Sequence, residues 1–181
     1  IGAGNFGNLF NDLKLGADND LPEYVVMDPS GNITVLVTEE VLPKERAKVT
    51  DAILENELLA EQLGFLSSSE TADLSLFMSG GEFCGNASMC AAVFHAAKNG
   101  VCKGTVLVEV SGAAAPVSVK VIREFEGKWK GEVSMPRPSR IEIRRFSDGN
   151  EFPVVHFPGA DHIICDDTEL PDDAGACENM V

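Results

Sequence analysis

The chain has 181 residues, 44% hydrophobic and 24% charged, with a net charge of −15. That length buries a real core, as one large domain or two small ones. The negative balance argues against nucleic acid and anionic membrane surfaces as partners, because phosphate repels such a body; a small anionic ligand stays open where local amides outweigh the distant field.

From the N-terminus, "IGAGNFGN" fits G-x-G-x-x-G through Gly2, Gly4 and Gly7, and Asp28 follows about 20 residues on, as a nicotinamide site requires. Against a dinucleotide site, no strand precedes these glycines. The following segment is polar and broken by Gly16 and Pro22, and no alternating βαβ pattern follows. A glycine-rich loop is the plainer reading, and residues 1–24 stay unassigned. "EYVVMD" and "NITVLV" are predicted strands around the turn "PSGN". Over Leu42–Gly64, apolar residues at helical spacing (Val49, Ile53, Leu54, Leu58 and Leu63 among them) predict an amphipathic helix with Gly64 as its C-cap. Its glutamates read as a solvated face. "ADLSLFM" alternates like a strand, and a glycine loop then leads into "FCGNASMCAAVFHAAKNG". The runs "GTVLVEVSG", "APVSVKVIREF", "WKGEVSMPRP", "RIEIRRF" and "FPVVHFPGADHIICDD" add strands, with a hairpin turn over 124–131. Residues 168–181 form an acidic tail or linker. Strands outnumber helices, so the expected class is α+β: a mainly antiparallel sheet wrapped around a central apolar helix.

The segment Ala87–Ala97 is apolar or small on every face, with His95 its one ionisable residue. Such a helix has to be enclosed. Its N-terminus carries the free amides of Gly85 and Asn86 and the positive end of the helix dipole, where a carboxylate can dock. The same field is expected to lower the pKa of Cys84 and enrich its thiolate. The competing reading is a small buried hydrophobe. Cys90, six residues on and about 240° round the helix, is expected in the core, as are Cys102 and Cys165; Cys177 has no assigned role.

Five cysteines are an odd count in a chain too large to need staples, which favours a reducing compartment and makes the cytoplasm the expected location. No apolar run reaches the ~18 residues of a membrane span. No signal peptide is visible, although the chain opens at Ile1 without methionine, leaving room for a missing N-terminus. The cysteines lack close metal-ligand pairing, and His95, His156 and His162 are not paired at such spacing either. His95 reads as a hydrogen-bonded core residue, and His156 as facing a cleft or solvent.

"GGEFCGNASMC" resembles the "CGNG" catalytic segment of diaminopimelate epimerases and related cofactor-independent amino-acid racemases. The similarity extends through "DPSGNITVLV", "VEVSGAAAPVSVKV", "GEVSMPRP" and "VVHFPGADHIICDD", roughly Val25 to Asp167. It implies one lobe, over 25–167, of a two-lobed fold in which each lobe wraps a sheet round a helix. The amino-acid substrate lies between the lobes, and each helix presents one cysteine. One sulfur, as thiolate, takes the α-proton, and the other, as thiol, returns a proton to the opposite face, without pyridoxal or metal. Carried onto this sequence, Cys84 is the first-lobe acid/base, Gly85 and Asn86 hold the α-carboxylate through backbone amides, and Asn32 and His162 contact the substrate.

The pattern departs from the epimerases at substrate-recognition positions. The loop before Cys84 is shorter, Met78 replaces an asparagine, and Ala160 replaces the asparagine of the family's "GNPH". "GGEFCGNA" is more similar to the broader racemase group, some of which act on histidine. The second lobe, with its partner cysteine, is expected from a longer form or another chain. The alternative is a domain that binds an amino acid or partner without turnover.

Overall fold

The computed structural model describes residues 2–6, 21–29, 31–125, 127–135, 137–147, 149–157 and 160–165. Gly7, Gly16 and the acidic tail with Cys177 lie outside them. The chain divides into two compact units, Ile1–Met135 and Pro136–Val181; the expected lobe over 25–167 spans parts of both.

The first unit contains an eight-stranded sheet. Its strands are β1 (Gly2–Phe6), β2 (Tyr24–Met27), β3 (Thr34–Val37), β4 (Gln62–Ser67), β5 (Leu74–Met78), β6 (Lys103–Val110), β7 (Val117–Phe125) and β8 (Lys128–Val133), in the spatial order β1-β8-β7-β6-β5-β4-β3-β2. Helix α1 (Arg46–Asn56) joins β3 to β4 and helix α2 (Gly85–Lys98) joins β5 to β6. These two pairs are parallel and every other neighbour is antiparallel. Because β4 and β5 are antiparallel, the two crossovers run in opposite senses. The right-handed rule for such connections then puts α1 and α2 on opposite faces. Two separate apolar cores follow.

Helix α2 is the expected enclosed helix. Residues 87–93 are buried without interruption, and the helix touches every strand from β3 to β8. In a flat sheet β3 and β8 would lie five strand spacings apart, roughly 24 Å, about twice the width of a helix. Contact with both therefore requires the sheet to curl round α2. The α+β class with a mostly antiparallel, curled sheet is the one expected.

The helix predicted over Leu42–Gly64 is wrong in its second half. Helix α1 stops at Asn56; Leu58, counted on its apolar face, is 85% exposed in a turn, and Leu59 beside it 82%. "QLGFLS" is instead strand β4, central in the sheet. Both α1 and α2 cover this part, so β3 and β4 are apolar on both faces and lose the alternation that marks a half-buried strand. Leu63 and Phe65 join the α1 core, with Val35, Val37 and Ile53, while Leu66 joins the α2 core with Leu36. Gly64 is no helix cap: a Cβ there would sit 2.6 Å from Leu76 Cδ1 and 3.2 Å from Met78 Sδ. The N-terminal glycines are corrected as well, since Gly2 and Gly4 lie in β1, paired antiparallel to β8, and not in a phosphate-binding turn. Cys102, expected in the core, is exposed in the bend before β6, and Cys165 is half-buried; Cys90 is fully buried as expected.

The second unit carries β9 (Arg140–Arg145), β10 (Glu151–Phe157) and β11 (Ala160–Ile163), antiparallel in the order β11-β10-β9. Phe152 and Val154 are buried, whereas Ile141 and Ile143 are 63% and 64% exposed. No helix among the described residues is long and apolar enough to cross a membrane.

Two outcomes test this packing. Gly64→Val should cost about 1–3 kcal/mol in chemical denaturation, because Leu76 and Met78 are locked in the core and cannot yield space. Complete burial pushes the Cys90 thiol above its ordinary value of 9.0. The folded state therefore keeps a proton that the unfolded chain releases, so this contribution is intact below that value and is lost as pH rises past it. The denaturation midpoint should fall from about pH 8 to about pH 10 more steeply in the wild type than in Cys90→Ala.

Candidate active site

The loop from β5 to α2 is stitched to its neighbours by backbone and hydroxyl groups. Ser79 N donates to Leu63 O at 3.0 Å, and Gly81, with φ +76°, closes a turn by donating to Met78 O at 2.8 Å. From the β6–β7 turn, Ser111 Oγ accepts from Met78 N and donates to Glu82 O, both at 2.9 Å. Gly112 follows in the left-handed region, with φ +71°, and a Cβ there would collide with the backbone of Glu82 and Phe83. Two strand ends thus fix the peptide that delivers Cys84.

Cys84 is the N-cap of α2, with extended backbone (φ −128°, ψ 116°). Its sulfur accepts from the Ala87 amide at 3.4 Å, the part a serine oxygen plays in an ordinary cap. Its carbonyl accepts from Ser88 Oγ at 2.6 Å. Among the described residues the Gly85 amide has no protein acceptor, leaving a free donor at the positive end of the helix. The Cα of Gly85 is closely covered, because a Cβ there would lie 3.1 Å from Met135 Sδ and 3.6 Å from Val133 Cγ1. The glycine serves packing against the end of β8 as well as any ligand.

The thiol donates to Gln62 Oε1 at 2.9 Å. Gln62 Nε2 donates to Thr34 Oγ1 at 2.6 Å, and Thr34 Oγ1 donates to the carbonyl of Asn32 at 3.1 Å. The Asn32 side chain donates to Glu61 Oε2 at 2.7 Å, while its own oxygen is buried with no hydrogen-bond partner among the described residues. The fold explains this line of contacts. Thr34 and Gln62 are register partners in the parallel β3–β4 pair. Alternation along each strand puts them on the same face as Leu36 and Leu66, toward α2.

The expected lowering of the Cys84 pKa is overturned. Burial pushes the thiol up and outweighs the amides of Ala87 and Asn86, which pull it down; the Glu82 carboxylate adds to the rise and the Gln62 side chain offsets a little of it. Cys84 is half-buried and packs against the α2 core, so desolvation beats the dipole. The group rests as a thiol.

Asn32, Cys84, Gly85 and Asn86 all belong to the first unit, with Asn32 and Cys84 joined through Thr34 and Gln62. Gln62 escaped the sequence reading because it fell inside the supposed helix; reading "LGFL" as a buried strand would have placed it on the inner face. His162 lies in the second unit, exposed on β11, with its ring edge-on to Phe157 at 5.4 Å. His156 sits between Asp161 (2.7 Å) and Glu142 (3.2 Å). The neighbouring Arg144 and His156 hold Glu142 below the usual carboxylate range. His95 is not a core residue: it is half-buried and lines a cleft of about 380 Å³ with Thr38, Ser67, Phe94 and Lys98. That cleft is at the opposite end of α2, about 16 Å along the axis from Cys84.

Residues 22–181 match the sequence profile of the histidine racemase CntK N-terminal domain. The histidine racemase of Fusobacterium nucleatum subsp. nucleatum (strain ATCC 25586) is 31% identical over 147 residues, covering 78% of this chain and 53% of that protein. A histidine racemase of a second strain of that subspecies (ATCC 23726) is 30% identical over 148 residues, with 78% and 54% covered. The histidine racemase of Staphylococcus aureus (strain Mu50) is 31% identical over 133 residues, with 71% and 47% covered. The chain spans about half the length of the curated relatives it matches. These matches support the amino-acid racemases as a class and not the diaminopimelate epimerases in particular. With the match running from the residues before β2 through the second unit, the chain belongs to the histidine racemase CntK N-terminal domain family.

Proposed function

We propose that this chain supplies one half of a racemase active site, with Cys84 as one of two cysteines that exchange the α-proton of histidine. The observation that carries the reading is a half-buried thiol capping an enclosed helix, beside an amide that has no protein acceptor among the described residues. Histidine is the substrate in this reading because the relatives are histidine racemases. The partner cysteine comes from the other half of the longer protein or from another chain.

In this reading the free amide of Gly85, together with Asn86, binds the α-carboxylate at the start of α2. The same donors hold the negative charge that spreads onto the carboxylate when the α-carbon loses its proton. Asn32 and His162 are assigned to substrate contact by the resemblance alone. The thiolate of the partner cysteine breaks the Cα–H bond and keeps the proton. Cys84 gives its thiol proton to the opposite face, forming the new Cα–H bond and becoming the thiolate. The reverse reaction exchanges the roles, and no proton is consumed. No pyridoxal and no metal enter this scheme.

The raised pKa of Cys84 suits the resting acid. It also makes the thiolate, once formed, a stronger base toward a weak carbon acid, at the cost of a smaller thiolate fraction near neutrality.

The test is deuterium incorporation at the α-carbon of histidine in heavy water, using the full-length protein. Cys84→Ser should reduce wash-in by roughly 10²-fold or more. Unchanged wash-in in that variant would remove Cys84 from the mechanism. Binding of histidine without exchange on any amino acid would favour a domain that binds without turnover.

A further inference from the structure

We infer that Gln62, anchored by Thr34, is a positioning residue that turns its amide over as Cys84 passes between thiol and thiolate. The inference rests on the racemase reading, in which one sulfur has to serve as acid in one direction and as base in the other.

The present orientation of the amide follows from the far end of the line. The carbonyl of Asn32 can only accept, so it takes the single hydroxyl proton of Thr34. Thr34 Oγ1 can then only accept from Gln62, which directs Nε2 toward Thr34 and Oε1 toward the sulfur. An acceptor facing Cys84 fits a thiol and opposes a thiolate, so the downward pull of Gln62 on the thiol belongs to the donor end of its amide and not to the oxygen that faces the sulfur here. When Cys84 loses its proton to the substrate carbon, that arrangement sets oxygen lone pairs against an anion.

A half-turn about the last torsion of Gln62 exchanges N and O within nearly the same volume, and that torsion is close to two-fold. Nε2 then donates to the thiolate. Oε1 accepts the hydroxyl proton of Thr34, which swings away from the Asn32 carbonyl. One neutral hydrogen bond is given up and one charge-assisted bond is formed. Thr34 is fully buried, so its hydroxyl turns only among protein groups: Gln62, the Asn32 carbonyl and the neighbouring Cys90 sulfur. A fixed donor such as lysine would favour only the thiolate, and a carboxylate only the thiol.

Other titratable groups bear on the sulfur without being able to do this. Glu82 lies in the preceding loop and raises the thiol. Cys90, further along α2, is near enough to feel both Cys84 and Asp28 at the end of β2. Glu61 is held by the Asn32 side chain. At the end of β8 the side chains nearest Gly85 are those of Val133 and Met135, neither of them titratable.

The experiment is iodoacetamide alkylation across pH, read at the Cys84 peptide by mass spectrometry, with exposed Cys102 as the internal reference. Gln62→Glu should move the Cys84 midpoint up by about one pH unit or more, and Gln62→Met and Thr34→Val by less; Cys102 should not move. In unmutated protein labelled with nitrogen-15, the Gln62 side-chain amide signals should shift with the Cys84 midpoint, and that shift should vanish in Cys84→Ser. Amide signals that ignore the titration, or an unmoved midpoint in folded Gln62→Glu and Gln62→Met, would overturn the inference. The outcome is separable from that of the racemase reading. Coupled titration without α-proton exchange keeps the relay and rejects the activity, and exchange without coupled titration does the reverse.

Discussion

An apolar helix with no polar face cannot lie on a surface, and α2 is such a helix: from Ala87 to Val93 every residue is buried. The sheet must close around it, and closure brings parts of the chain remote in sequence to the same helix end. β3 and β4 arrive from one side with Thr34 and Gln62, and β8 from another with Val133. The loop after β5 sets Cys84 among them. The site is thus a consequence of enclosing one helix, and the small residues of α2 let the strands approach closely enough to complete it.

Enclosure also decides the electrostatics. A helix start favours an anion through its unpaired amides, and an exposed cysteine there would be acidic. Here the core that shelters the helix also takes water from the sulfur, and the second effect is the larger. The amides of Ala87 and Asn86 moderate the rise without reversing it. The balance gives a protonated sulfur with thiolate-stabilising donors already in place, so charge arriving at Cys84 meets preorganised groups.

What could be read from the sequence was what depends on local pattern. The continuous apolar stretch after Cys84 announced an enclosed helix, and the alternating runs after it announced the strands of β6 to β10. The failures lie where tertiary context overrides pattern. β4 is covered on both faces, so "LGFL" lacks alternation, and its leucines extended the helical spacing begun by Val49 and Ile53. That single misreading hid Gln62 and with it the partner of the thiol. The direction of the Cys84 pKa was misjudged for a related reason, since dipole and glycines are visible in a sequence and depth of burial is not. Cys102 was misplaced because a residue beside a strand need not face the core.

The turn at Ser111–Gly112 bears on how such a site can diversify. Ser111 holds the cysteine loop at two points, and the left-handed backbone of Gly112 leaves no room for any side chain beneath Glu82 and Phe83. Gly81, on the outer side of the same loop, has open space around it, although its φ of +76° restricts replacements to residues such as asparagine that tolerate that backbone. Engineered change in the loop that carries Cys84 is thereby channelled to its outer rim, while the inner hinge at Gly112 accepts no side chain.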